Sequence, residues 1–309
     1  RGEITDVRID SRNGFIVSSA GAKGEAELRV WDVKSGVSQN EIEGGKSLSM
    51  LGVLFGKIDF EWAFQLRSFD LRQDGTLIWA EDNHGVKVGK ISKSKYDRIL
   101  PTNWEPTVVR YSPDGNLIAA GGQSFNRVVG KESNEVVIWN SAKTMEKLSL
   151  QTKLSDITTL SFDRSGKFLA VLSHSTDTTI TKAINSIAET TFLNVVEVFE
   201  IGSQRKLFET SWIGLKSNVL SLSPDGKVLA TSHRRADERT EELIIYNIEA
   251  KSELKRFDSR EMEIYSMGFS PDGRLLIANG EQINFWKVGS WTHLREIFRA
   301  DKIDDFELV

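Results

Sequence analysis

The sequence has no cysteine among its 309 residues. This absence excludes disulfide bonds, thiolate metal sites and cysteine nucleophiles, although it leaves the cellular compartment open. The chain also lacks any run of about 18 apolar residues, the length that a membrane-spanning helix needs. A net charge of −4 and a pI of about 5.8 argue against a general nucleic-acid binder, which carries a basic domain or stripe. We therefore expect a soluble chain with neither a membrane nor a nucleic acid as partner, and the cytoplasm is the favoured location.

Local signatures of catalysis are missing as well. The sequence contains no His-Glu-x-x-His arrangement, no glycine-rich phosphate loop that opens a helix and no Gly-x-Ser-x-Gly elbow. An enzyme that gathers dispersed residues would escape such a search. The sequence begins at Arg1 rather than at methionine. We therefore expect that residues precede Arg1, and the chain is also interpreted as one domain of a longer protein.

A recurring cassette of three short strands organises the chain, and its clearest copy spans residues 220–248. Leu220 and Leu222 alternate with serines, which places both leucines on one face of a strand. The Ser-Pro-Asp-Gly turn that ends at Gly226 reverses the chain, because proline presets φ at its second position and glycine suits its fourth. Residues 228–230 and 243–246 are short apolar runs that are typical of strands.

The cassette occurs six times, and a turn glycine marks each copy. These glycines are Gly14, Gly75, Gly115, Gly166, Gly226 and Gly273. Their spacing of 40 to 61 residues suits one blade of about 40–50 residues, with inserts in the longest copies. An alternating strand precedes each glycine and an apolar run follows it. The sequence therefore predicts an all-β fold, a β-propeller built from four-stranded antiparallel blades.

The blades are predicted as segments of one domain that spans residues 1–309. Their approximate bounds are 1–43, 44–100, 101–152, 153–211, 212–258 and 259–300, and residues 301–309 supply a closing or extra strand. Two blade counts are compatible with this division. Either six blades close with the added C-terminal strand, or seven blades form and part of one comes from sequence before Arg1. Seven blades are favoured, and residues 44–62, which fit no cassette, are a further source of strand.

These cassettes resemble the WD-repeat family of β-propellers across nearly the whole chain. The resemblance rests on the Ser-Pro-Asp-Gly turns, on the blade period and on the pairs that end third strands, Trp31-Asp32, Trp139-Asn140 and Tyr246-Asn247. The match is degenerate, because the family's usual Gly-His before the first strand is missing and the ending aspartate occurs only at Asp32. The resemblance implies a non-catalytic protein-interaction module in which the family's His–Asp hydrogen-bond network is mostly absent.

Two histidines occupy matching places in neighbouring cassettes. His174 and His233 lie where second strands end, and Asp82 has the equivalent place in its own cassette. An Asp/His/His cluster would bind zinc if these positions converged. We favour the alternative that they are unrelated strand-end residues in different blades, so that neither a metal nor a cofactor is predicted.

Long inserts between second and third strands are more informative. They cover residues 123–134, 174–193 and 233–242. In a propeller these inserts share one face with the loops that lead into each first strand, and long loops on a rigid scaffold favour binding there. For residues 174–193, which are rich in serine and threonine, a hairpin or unstructured extension is the simpler interpretation.

Tryptophan and arginine, the types most enriched in binding hot spots, occur in these loops. The predicted partner-binding residues are Trp62, Trp104, Arg127, Trp212, Arg234, Arg235 and Arg239. Burial of the tryptophans between blades, and pairing of the arginines with nearby carboxylates, are the structural alternatives. We expect a protein or peptide partner to dock over this face, with the arginines contacting its acidic groups. The rival functions are a propeller enzyme with a metal at its central channel and a structural domain of a longer protein. The oligomeric state is left open.

Overall fold

The regular structure of the chain is entirely β-strand wherever it is described. The computed structural model describes residues 3–10, 15–22, 25–36, 38–43, 66–81, 85–92, 96–123, 134–143, 147–175, 181–184, 187–217, 219–234, 241–259, 264–280 and 282–298. Among these residues there is no apolar helix of membrane-spanning length.

The described strands form six four-stranded antiparallel sheets and one separate hairpin, and neighbours in the chain are neighbours in each sheet. Sheet 1 consists of β1 (Glu3–Asp10), β2 (Phe15–Ala22), β3 (Glu25–Asp32) and β4 (Ser38–Glu43). Sheet 2 consists of β5 (Leu66–Arg72), β6 (Thr76–Glu81), β7 (Val86–Lys90) and β8 (Tyr96–Leu100). Sheet 3 consists of β9 (Glu105–Tyr111), β10 (Leu117–Gln123), β11 (Glu135–Asn140) and β12 (Lys147–Gln151).

The second half of the chain repeats this order. Sheet 4 consists of β13 (Asp156–Phe162), β14 (Phe168–His174), β17 (Phe192–Glu200) and β18 (Arg205–Gly214). The strands β15 (Thr181–Ile184) and β16 (Ile187–Thr190) form the hairpin inside its insert. Sheet 5 consists of β19 (Leu220–Leu222), β20 (Val228–Arg234), β21 (Glu241–Asn247) and β22 (Ser252–Ser259). Sheet 6 consists of β23 (Ile264–Phe269), β24 (Leu275–Gly280), β25 (Gln282–Lys287) and β26 (Thr292–Phe298).

The predicted fold class is confirmed: the described residues form six four-stranded antiparallel blades of an all-β propeller. The chain divides into two compact units, residues 1–109 and 110–309, and the division falls inside β9. Residues 44–65 and 299–309 lie outside the described residues. A seventh blade built from them therefore stays a prediction.

The turns between first and second strands are built by the predicted Ser-Pro-Asp-Gly chemistry. In sheet 3 the Ser112 hydroxyl donates to Asp114 Oδ1 (2.6 Å) and accepts from the Leu117 amide (2.9 Å). The same pair of bonds recurs in sheets 5 and 6. At the described turns Gly75, Gly115, Gly166, Gly226 and Gly273 have φ values of 68–74°, which favour glycine. Added at Gly226, a Cβ would also meet Phe168 of sheet 4 at 2.4 Å.

Sheet 4 builds its turn with the two polar residues exchanged. Asp163 stands where the other turns have serine, and its Oδ1 accepts from the Phe168 amide (2.7 Å). Ser165 stands at the aspartate position, and its hydroxyl donates to Asp163 Oδ2. The exchange satisfies the same backbone amide with a different oxygen, so the turn keeps its geometry although its sequence departs from Ser-Pro-Asp-Gly.

In the unit of residues 1–109, sheets 1 and 2 share an apolar cluster. Val17, Leu28 and Val30 of sheet 1 pack with Phe69 and Leu77 of sheet 2. A buried ion pair joins the same two sheets, since Arg8 Nε lies 3.5 Å from Asp70 Oδ1. The guanidinium also lies over the Phe69 ring, with Cζ 5.7 Å from the ring centroid.

In the unit of residues 110–309, strand alternation gives sheet 5 two buried faces. Leu229 and Ile244 face sheet 4, where they pack with Leu172 and Val196. The neighbouring Ala230 and Leu243 point the other way and pack against sheet 6. Full burial of one such leucine or isoleucine side chain stabilises the fold by about 1.5–3 kcal/mol. Both faces of this sheet are therefore part of the core, and only its edges are open to contact other molecules.

Candidate functional site

The two ends of the strands differ in how the chain connects them. At one end, the first and second strands of sheets 3 to 6 are joined by short turns, such as the one around Gly226. At the other end, the second and third strands of sheets 3, 4 and 5 are joined by residues 124–134, 175–191 and 235–240. We call this second end of the sheets in the unit of residues 110–309 the insert edge. It is the face on which the sequence predicts the partner site.

The best defined group at the insert edge is an aromatic stack between sheets 4 and 5. Trp212 of β18 lies parallel to His233 of β20, with ring centroids 3.6 Å apart and planes inclined by 8°. The two strands approach closely at this point, because the Leu215 amide donates to the Arg234 carbonyl (2.9 Å). Gly214 permits the approach, since a Cβ added there would lie 2.1 Å from that carbonyl oxygen.

Burial controls the charge of His233. The side chain is 6% exposed, and burial together with the nearby charge of Arg256 lowers its pKa to about 3. His233 Nε2 and Trp212 Nε1 are both buried and have no hydrogen-bond partner among the described residues. The imidazole is therefore neutral at neutral pH, and it contributes to the edge as an aromatic surface rather than as a cation.

His174 is fixed by hydrogen bonds at both ring nitrogens. Nδ1 lies 2.7 Å from Asn194 Oδ1, and Nε2 lies 2.9 Å from the Thr158 hydroxyl. Because the Asn194 oxygen can only accept, Nδ1 carries the proton and Nε2 accepts from Thr158. Burial, reinforced by the charge of Lys216, lowers the pKa of His174 to about 4. The ring is a neutral structural link between β13, β14 and β17.

An ion pair lies beside this histidine at the start of β13. Lys216 Nζ approaches Asp156 Oδ2 at 2.7 Å, and Gln123 donates to Asp156 Oδ1 at 2.8 Å. The three residues come from sheet 4, from sheet 3 and from the segment that leads into sheet 5. Asp156 is 4% exposed, so the contacts compensate a buried carboxylate. This group joins three sheets at the insert edge.

The structure gives four different outcomes for the predicted site residues. Trp104 is 7% exposed and belongs to the core of its unit, in agreement with the alternative that tryptophans are buried. Trp212 lies within the fourth strand β18 rather than in a loop, because the strand continues to Gly214. Arg234 ends β20 at the insert edge and is half-buried. The remaining predicted residues lie outside the described residues, namely Trp62, Arg127, Arg235 and Arg239.

Three residues of this edge were missed by sequence reasoning. Asn194 and Lys216 have no motif of their own, and only the pairing of distant strands brings them to His174. Ile213 follows Trp212 directly and is 60% exposed, which makes it the most exposed large apolar side chain of the described residues. Its position next to a predicted hot-spot tryptophan is the signal that would have identified it.

The histidines do not form the Asp/His/His group that a zinc site would need within the described residues. His174 is bonded to Thr158 and Asn194, whereas His233 is stacked on Trp212. No three His, Asp or Glu side chains of the described residues come together as metal ligands. Asp82, the third residue of the zinc hypothesis, lies outside them.

Comparison with known proteins adds no assignment. No protein-family model matches the chain. No curated protein is similar to it in sequence.

Proposed function

We propose that this chain is a WD-repeat-type propeller that acts as a non-catalytic protein-interaction module. A protein or peptide partner docks on the insert edge, where long connections join the second and third strands of sheets 3 to 5. The observation that carries the proposal is the exposure of Ile213 (60%) at the end of β18, where the following residues, Gly214 and Leu215, contact the end of β20 at Arg234. Trp212 and Arg234, which flank this end of the two strands, are of the residue types most enriched in interaction hot spots.

The geometry around Ile213 supports a docking role for this junction. The Trp212 ring is held by its stack on His233, so the strand that presents Ile213 is rigid before a partner arrives. Ile213 is the next residue of β18, so strand alternation turns it to the opposite face from that ring, where it is 60% exposed. A preorganised apolar anchor of this kind loses little conformational entropy on binding.

The WD-repeat assignment is supported by the end of the third strand in sheet 1. The Trp31 indole donates to the Ser18 hydroxyl (2.8 Å), which ties the third strand to the second. Asp32 then accepts from the amide and the hydroxyl of Ser35, at 2.7 and 2.8 Å. The Trp-Asp pair thus fixes both the sheet and the turn that follows it.

The state of the histidines supports a non-catalytic role. A general base works best with a pKa near the operating pH, and it needs freedom to exchange a proton with a substrate. Burial lowers the pKa of His174 to about 4 and that of His233 to about 3. His174 also has both ring nitrogens engaged by protein groups.

The test compares partner retention by surface variants of the purified chain. Bait protein captures partners from lysate of the source organism, and mass spectrometry quantifies each captured protein. We expect one partner to be retained by the unmodified chain and lost by Ile213→Ser and by Arg234→Ala/Arg235→Ala. Val33→Ser is the matched control, because Val33 is 52% exposed and lies in the other unit.

Two results would contradict the proposal. Equal retention of every partner by all variants would remove the insert edge as the docking site. Elemental analysis of dialysed protein is the second measurement, and one bound zinc or calcium ion per chain would favour the propeller enzyme instead. Thermal unfolding of each variant separates lost binding from lost folding.

A further inference from the structure

The fourth strands of the sheets have a repeated irregularity in their pairing, and it lies outside the insert edge. In five of the six described sheets, one residue of the fourth strand is skipped in the pairing with the third strand. The skipped residues are Gln39, Asp97, Leu207, Leu254 and Leu294. A residue skipped in this way forms a β-bulge, which bends the strand and interrupts its ladder. In sheets 4, 5 and 6 the bulge residue is leucine.

In sheets 5 and 6 the bulge leucines are exposed, so that another molecule can contact them. Leu254 is 44% exposed and Leu294 is 50% exposed, whereas Leu207 packs partly against the core of sheets 4 and 5. All residues of segments 252–256 and 292–296 are exposed. We call these two segments together the fourth-strand patch. They present Leu254-Lys255 and Leu294-Arg295 at equivalent places in adjacent sheets.

The cation that follows each leucine is held on an aromatic ring. Lys255 Nζ lies 5.6 Å from the centroid of Phe257, and Arg295 Cζ lies 4.6 Å from that of Phe285. Neither cation has a carboxylate within ion-pair distance among the described residues. The neighbouring Arg256 differs, because Glu242 and Glu253 pair with it at 2.6 and 2.7 Å.

The carboxylates of the patch do not cancel the positive charge of Lys255 and Arg295. Glu253 is already committed to Arg256. Glu296 follows Arg295 by one residue, so strand alternation directs it to the opposite face of β26. A partner above Lys255 and Arg295 therefore meets two positive charges beside two apolar side chains.

The bulges decide which secondary structure the partner has. An exposed strand edge ordinarily invites another strand, which continues the backbone ladder. Here each fourth strand bulges at the leucine in its pairing with the third strand, which bends the strand and twists its free edge away from a regular ladder. Side chains rather than backbone groups therefore offer the recognition. A helix supplies apolar residues on one stripe and charges beside it, and it requires no free backbone groups.

We propose that the fourth-strand patch binds an acidic amphipathic helix of a partner protein. Leucines of that helix cover Leu254 and Leu294, and its carboxylates pair with Lys255 and Arg295. The site is separate from the insert edge, so the chain holds two docking surfaces within residues 110–309. Because the two Leu-cation pairs are equivalent, a helix long enough to reach both gains from binding them together.

The test uses two fluorescein-labelled helical peptides, one built from leucine and glutamate and the other from leucine and lysine. Anisotropy titrations give the affinity of each peptide for the intact chain. We expect the glutamate peptide to bind, with affinity that falls as salt rises. The variant Leu254→Ser/Leu294→Ser is expected to bind it at least tenfold more weakly. The variant Lys255→Glu/Arg295→Glu is expected to lose the glutamate peptide and to bind the lysine peptide.

Ile213→Ser is the control that separates this surface from the insert edge. It is expected to bind the glutamate peptide as the unmodified chain does. The proposal is overturned if the intact chain does not bind the glutamate peptide, or if all variants bind it equally. It is also overturned if only Ile213→Ser weakens binding, because the peptide would then occupy the insert edge. Unchanged thermal unfolding of both double variants shows that the fold is intact.

Discussion

The indole of Trp212 stacks on the imidazole of His233, with ring centroids 3.6 Å apart. The two residues belong to neighbouring sheets and lie 21 positions apart in the sequence. Their contact seals the imidazole from water, and burial is the leading cause of its lowered pKa. The stack thus links the packing of two sheets to the protonation of one side chain.

Removal of the indole is expected to raise the pKa of His233. Trp212→Ala admits water to the ring, so the pKa rises from about 3 towards the ordinary value of about 6.5. Trp212→Phe keeps an aromatic cover and is expected to change the pKa less. Imidazole ¹⁵N chemical shifts, followed against pH by NMR, measure both effects. An unchanged His233 titration in Trp212→Ala would show that the indole does not shield the ring.

The buried state of His174 predicts acid sensitivity. An unfolded histidine has a pKa of about 6.5, whereas the folded His174 has a pKa of about 4, so the unfolded chain binds the proton first. The neutral His174 therefore contributes fully to the free energy of unfolding above pH 6.5, and this contribution is lost as the pH falls towards 4. The full loss is about 3 kcal/mol in the free energy of unfolding. Urea unfolding at several pH values measures it.

The matched variants isolate that histidine from the carboxylates that titrate nearby. His174→Gln is expected to be less stable at pH 7, but its stability falls less steeply between pH 6.5 and 4. His293→Gln serves as the control, because His293 is exposed on β26. If the free energy of unfolding fell equally steeply with pH for His174→Gln and for the unmodified chain, the prediction would be wrong.

A methyl group at Gly214 is expected to separate β18 from β20. A Cβ there would lie 2.1 Å from the Arg234 carbonyl oxygen, which is backbone and cannot rotate away. Gly214→Ala should therefore lower the free energy of unfolding by about 1–3 kcal/mol. Gly202→Ala is the control, since no heavy atom lies within 4 Å of its added Cβ. Equal stability of the two variants in urea would show that the strands adjust freely.

The strands could be predicted from the sequence because each depends on neighbours in the chain. Leu220 and Leu222 alternate before a turn whose serine, aspartate and glycine bond to one another, so a few residues determine the local structure. The hairpin in residues 174–193 was anticipated as one simple interpretation of its composition. Such features need no knowledge of distant residues.

The insert edge could be predicted only in part, since it depends on residues far apart in sequence. Nothing local indicates that Lys216 reaches Asp156, or that Asn194 orients His174 across an insert. The sequence predicts a loop at Trp212, whereas the structure has a strand there, because the extension of β18 requires the long third strand β17 as its partner. The sequence leaves open whether Trp104 is a binding residue or a buried one, because residue type alone does not distinguish a hot-spot tryptophan from a core one; in the structure its side chain is buried.

The exchanged turn of sheet 4 provides a test of how these cassettes tolerate sequence change. Asp163→Ser removes the carboxylate that accepts from Ser165, and Ser165→Asp places a second carboxylate beside Asp163. Each single variant is expected to lose about 1 kcal/mol in the free energy of unfolding. The double variant has the same pair of residues as Ser112 and Asp114 in sheet 3, so its stability should return to within about 0.5 kcal/mol of the unmodified chain.

A double-mutant cycle in urea measures the coupling between the two positions. The expected interaction free energy is about 1–2 kcal/mol in favour of the double variant. The same cycle distinguishes two accounts of the degenerate repeats. Strong coupling means that the turn requires one acceptor for the amide of Phe168 and one carboxylate, in either order. Additive losses would mean that sheet 4 has adapted to Asp163 itself, and that the turns of the six blades are not interchangeable.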